Sequence, residues 1–170
     1  MKPATLFFLF YLASMPLWST PPDSTRLPSP AVALQSQTGM TLKKLGAILE
    51  AEGQIIQQDG GTWQLVYNNR LLVVVTDENA NRMRIMTPIV EVKKLKKEQY
   101  SLMLKAQFHK VLDVKYAIFS EQVWSLFAHP LKELTEEQLT DALSQVFFAA
   151  HTFGETYEST SLQFGSGDDE

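Results

Sequence analysis

Cysteine is missing from all 170 residues of this chain. Its absence excludes a disulfide scaffold, thiol catalysis, thiolate zinc sites and a lipidated cysteine, while leaving the compartment open. Positive charge is in short supply as well: 15 Lys and Arg against 19 Asp and Glu give a net charge of −4 and a pI near 5.4, the wrong balance for a general nucleic-acid binder. Long apolar runs are lacking. The longest at the N-terminus, Leu6 to Ala13, has eight residues, less than half of the ~20 that span a bilayer. No phosphate loop and no Gly-x-Ser-x-Gly elbow occurs, and Gly165-Ser166-Gly167 lies in a polar tail where no oxyanion hole is preorganised. Asp77, Asn79 and Asn81 begin like a calcium loop, but Arg82 stands where the loop needs Gly and Pro88 where it needs Glu. His109, His129 and His151 are too widely spaced for a metal-ligand pattern. Glu136 and Glu137 fall in the first turn of an expected helix, where carboxylates complement the dipole. Hence no catalytic, cofactor-binding or metal residue is assigned.

What the chain does contain falls into four stretches. Residues 1–19 read as a signal peptide: Met1-Lys2 is a minimal positive region, Leu6 to Ala13 the apolar one, and Ser19 a small residue before a cut near Thr20. Residues 20–40 include Pro21, Pro22, Pro28 and Pro30 with Ser, Thr and Gln, a composition expected of a disordered leader. Residues 41–159 form the single folded domain, and 160–170 an acidic, disordered tail. The expected location is therefore outside the cytoplasm, periplasmic or secreted.

Within the domain, Thr41 N-caps a helix over about 41 to 52 that Gly53 stops. Gln54 to Asp59 is a short strand, and Asp59-Gly60-Gly61 turns into Thr62 to Thr76. This stretch is the nucleus of a sheet. Trp63, Leu65 and Tyr67 alternate with polar neighbours. Asn68-Asn69 has the chemistry of a type I′ turn, and the apolar run Leu71 to Val75 is expected in mid-sheet with both faces at least partly covered. An extended segment from Arg82 to Val92 follows, limited by Pro88 to an edge or bent strand. Next comes a helix over about 97 to 112 with the stripe Tyr100, Met103, Leu104, Phe108, Val111 and Leu112. Strands 115–120 and 123–129 lead to the strongest helix signal, where Thr135 and Gln138 form a capping box and apolar residues recur from Leu139 to Tyr157. That helix is expected to fade near Glu158. The order α-β-β-β-(β)-α-β-β-α defines an α+β fold: an antiparallel sheet with helices packed on it.

Two surface features stand out. From Arg82 to Lys115 nine Lys or Arg face three acids, a local balance of +6, concentrated in Lys93, Lys94, Lys96 and Lys97 with Lys105 further on. A solvated face is the plain reading; a patch for an acidic partner or an anionic membrane is the functional one. Phe148 lies off the apolar stripe of the last helix and marks either an intramolecular contact or a dimer or partner surface.

The opening Leu42-Lys43-Lys44-Leu45 helix with Glu52-Gly53, the Trp63 to Val75 hairpin, and Val123-Trp124-Ser125-Leu126-Phe127 before a capped helix together resemble the YbjN-like family, relatives of the type III secretion chaperones. The resemblance implies a homodimer and a non-enzymatic role in binding another polypeptide, though a signal peptide departs from chaperones that work in the cytosol. It transfers no residue role. The expectation is an exported protein-binding module. Alternatives are an envelope accessory protein docking through the 82–115 segment and an enzyme with a dispersed site that sequence does not reveal.

Overall fold

The computed structural model describes residues 39–160; the expected signal peptide, nearly all of the leader and the 161–170 tail lie outside the described residues. Helix α1 (Leu42–Glu52) is followed by strands β1 (Gln54–Asp59), β2 (Thr62–Tyr67), β3 (Arg70–Asp77) and β4 (Arg82–Glu91). After a 3₁₀ turn (Val92–Lys94) come α2 (Lys97–His109), β5 (Val114–Phe119), β6 (Gln122–His129) and α3 (Glu136–His151). The strands form one antiparallel sheet in the order β1-β2-β3-β4-β6-β5. The α+β architecture and the element order are those expected.

Local chemistry explains the joints. Thr41 Oγ1 accepts the Lys44 N–H at 3.2 Å and starts α1. Asn68 and Asn69 have φ of 47° and 62°, the two left-handed residues that a type I′ hairpin requires. Asp77 Oδ1 accepts the Ala80 N–H at 2.9 Å, so this carboxylate shapes a turn. Asn81 Oδ1 accepts the Lys132 N–H and its Nδ2 donates to Glu133, tying that turn to the entry of α3.

Registers across the sheet place Trp63, Val74, Ile85, Phe127 and Val114 in one row, and all five are buried. The helices cover this face, and α1 and α3 add Leu45, Leu49, Leu139, Leu143 and Val146 to the core. The opposite row, Gln64, Val73, Met86, Leu126 and Lys115, is only partly buried or exposed. β3 is interior to the sheet, yet its apolar run has one covered face: Leu72 and Val74 are buried, whereas Val73 is half-buried and Leu71 exposed. On the open face Val73 is flanked by Gln64 and Met86, and these cross-strand neighbours half-cover it in place of a second layer.

Three other expectations are corrected. Of the two alternatives for β4, the edge position is ruled out and the bent strand remains: the sheet tolerates Pro88 through a register shift between Pro88 and Val90, the bulge that relieves a missing N–H. The β5–β6 turn is Ser120-Glu121, with φ of 48° and 58°, one residue earlier than expected. α3 stops at His151, short of Glu158. Beyond it Gly154 takes φ +87° and Tyr157 φ +57°, so the buried Tyr157 joins the core from a loop. Its ring lies edge-on to Tyr116, whose hydroxyl donates to the Ala149 carbonyl at 3.0 Å. Burial, with Tyr157 beside it, raises the Tyr116 pKa, so this phenol stays protonated and donating.

Candidate polypeptide-binding surface

α2 begins where the Gln99 side chain accepts the Lys96 N–H at 2.9 Å. Its underside is narrow. The loop after α3 runs beneath it, from Gly154 beside Gln99 to Thr156, whose carbonyl accepts from Lys110 Nζ at 3.2 Å, and Ser159, whose N–H donates to the Lys110 carbonyl at 3.2 Å. Only Met103 and Ala106 of the helix are buried. The expected stripe is therefore corrected: Met103 and Val111 face the core, while Tyr100, Leu104 and Phe108, at successive i+4 positions, face solvent. Leu104 is 69% exposed and Phe108 78%.

β5, on which α2 packs, ends in two more exposed apolar residues that point to opposite faces of the sheet: Ile118 on the helix-covered face and Phe119, 72% exposed, on the open one. The turn following Phe119 is fastened to the lysine-bearing segment, because the Glu121 carbonyl accepts the Val92 N–H at 2.9 Å. Lys93 and Lys94 reach Glu91 at 2.9 and 3.6 Å; the bond from Lys93 and the charge of Lys94 lower the Glu91 pKa. These two lysines are thus partly neutralised. Lys96, Lys97 and Lys105 are exposed, the last two separated by about two helical turns. The structure brings the four clustered lysines to one end of an apolar helix face and places Lys105 along it. Phe148, 44% exposed, does not join them; it lies on α3 in a separate groove.

Leu102, Leu104, Phe108, Ile118 and Phe119 are the surface residues that sequence reasoning missed. A signal was present. Tyr100, Leu102, Met103, Leu104, Ala106 and Phe108 place apolar side chains on nearly every side of α2, more than one buried face can absorb. Among the described residues no group of three or more His, Asp or Glu is arranged to hold a metal, and no helix is long and apolar enough to cross a membrane.

Comparison of the sequence with protein-family models and with curated proteins gives no match. Solved structures do match. A chain of the HopA1–SchA chaperone–effector complex superimposes with a TM-score of 0.51 at 13% identity, covering 64% of this chain and 91% of that one. A chain of the ExsC–ExsE complex gives 0.52 at 12% identity, with 75% and 99% covered. The Yersinia pestis type III secretion chaperone SycH, in complex with a fragment of YscM2, gives 0.47 at 12% identity over 64% and 98%. The first two alignments establish a likeness of fold to a chain of a chaperone–effector complex and a chain of the ExsC–ExsE complex, over nearly the full length of those chains.

Proposed function

We propose that this protein is an exported, non-enzymatic module that binds another polypeptide through the outward face of α2 and the end of β5. The observation that carries the reading is the exposure of Tyr100, Leu104 and Phe108 along one side of α2, with Ile118 exposed on the same face of the sheet as that helix. Isolated surface apolar residues are ordinary, but three at i+4 spacing on one helix form a stripe of the kind that partners cover. The lysines at its rim favour a partner with acidic residues next to apolar ones. The secretion-chaperone likeness supports a polypeptide as the ligand class, and membership of the YbjN-like family is part of the same proposal. So is export, which rests on Met1-Lys2, the Leu6 to Ala13 run and Ser19. A second copy of the chain offers the same apolar face, so a homodimer through α2 and β5 is the state expected without a partner.

The test uses the chain from Thr20 onward as bait for the exported fraction, with Leu104→Ser/Phe108→Ser as control. Wild type should retain a partner that the folded double variant releases, and in sedimentation the double variant should be more monomeric. Equal retention and equal mass for both proteins would remove this surface from consideration.

A further inference from the structure

The β2–β3 hairpin and the last turn of α3 enclose a pocket of about 410 Å³, a size ordinary for a small-ligand site. Arg70, which follows the Asn68-Asn69 turn, forms one wall. It pairs with Tyr67 across the hairpin, so its side chain leaves the sheet on the helix-covered face and shares the pocket with Phe147 and His151 of α3. The guanidinium is half-buried and fixed at one corner, because Nη1 donates to the Pro88 carbonyl at 3.3 Å. It has no counter-ion. None of the residues lining the pocket is acidic, and among the described residues Arg70 makes no ion pair. Arginine keeps its proton in a protein, so an unneutralised charge persists here beside the apolar walls of Phe147 and Pro88.

The remaining N–H groups of Arg70 form a planar fork of the kind that two carboxylate oxygens fill. Asn68, Asn69 and His151 place further N–H donors around the opening. The aromatic wall is preset: the His151 ring lies flat against Phe147, 5.6 Å between centroids, and Tyr67 holds Phe147 edge-on at 5.9 Å. The buried Thr87 hydroxyl is already committed to the Leu71 carbonyl at 2.7 Å, which leaves Arg70 to decide the ligand. One feature opposes an anion, since the carbonyl end of a helix carries partial negative charge. Two of those carbonyls are occupied, however: that of Phe148 accepts the Thr152 N–H at 2.9 Å and that of Ala149 the Tyr116 hydroxyl at 3.0 Å. The full charge of Arg70 outweighs the partial charge that is left.

We propose that this pocket binds a carboxylate carried on an aromatic or aliphatic body, with the carboxylate on the fork of Arg70 and the body against Phe147 and Pro88. Phosphate suits it less, because its second charge meets no second permanent cation and the apolar walls gain nothing from it. The last residue of a polypeptide and a free organic acid present the same group.

Titration calorimetry on the whole chain provides the test, with 3-phenylpropionate as free acid, N-acetyl-phenylalanine as mimic of a chain end and its amide as uncharged control. Both acids should bind at least about tenfold more tightly than the amide, since only they pair with Arg70. Tighter binding of N-acetyl-phenylalanine than of 3-phenylpropionate would assign the site to a chain end; otherwise it belongs to a free acid. Equal binding of acid and amide, or displacement of the acid by an equal concentration of inorganic phosphate, would overturn the proposal. Arg70→Gln should lower acid affinity at least about tenfold, whereas Arg70→Lys, which keeps the charge but not the fork, should recover only part of it. NMR locates the site without any substitution. As acid is added, the imidazole signals of His151 should shift and saturate while those of His109 and His129 stay in place, and an unmoved His151 would exclude the pocket. No polypeptide partner enters these titrations, so they stand apart from the fate of the α2–β5 surface.

Discussion

α2 and α3 both carry apolar residues at helical spacing, scattered round α2 and gathered to one side in α3, and they meet opposite fates. α3 spans the helix-covered face of the sheet over β4, β6 and β5, and Leu139, Ala142, Leu143, Val146 and Ala149 disappear completely from solvent. α2 sits on β5 with the 154–159 loop already beneath it, so Met103 and Ala106 suffice to seat it and the larger side chains point outward. Period 3.6 shows that a helix has an apolar face; it does not show whether the protein itself or something else covers that face.

Substitutions can widen or erase this contrast. The largest effect is expected inside the sheet: Val74→Asp places a carboxylate in the fully buried row and should cost about 3–5 kcal/mol or prevent folding. Val73→Asp, on the uncovered face, should be tolerated far better. Chemical denaturation of both measures the difference, and equal losses would mean that the second face is covered after all. Next, Leu143→Ala on α3 should lose about 2–5 kcal/mol through its cavity, whereas Leu104→Ala on α2 should stay within about 0.5 kcal/mol. Equal losses would make α2 a core helix. Smallest is the change of Lys93, Lys94, Lys96 and Lys97 to Gln, expected to leave the melting temperature nearly unaltered while lowering partner retention most at low salt. If retention is the same at every salt concentration, the lysines are only solvated.

Much of the fold was legible because its signals are local. The Asn68-Asn69 turn, the Thr135–Gln138 capping box and the alternation of Trp63 and Leu65 each depend on a few neighbouring residues, and each occurs as read. Burial of whole faces was harder. Leu71 to Val75 fits a two-sided strand as well as a one-sided one with β-branched neighbours, and only the placement of the helices decides between them. The end of α3 was missed because Phe153 and Tyr157 keep helical spacing after the helix has ended at His151; their rings reach Tyr116 from a loop. Of the surface residues, the lysines are visible in any sequence reading. Phe108 and Phe119 become surface residues only once the rest of the core is seen to be full.

The placement of β6 next to β4 has a kinetic consequence. β1 to β4 form a meander in which each strand pairs with its predecessor across a short turn, so these contacts cost little loop entropy. Pairing Ile85 with Phe127 must instead close a loop that contains all of α2 and β5, and closure entropy grows with loop length. We predict that the meander assembles first and that the β4–β6 ladder completes the sheet. Phe127→Leu, on β6, should then act mainly on the unfolding rate, and Leu65→Ala on the folding rate. The opposite partition of the two rates would reverse that order.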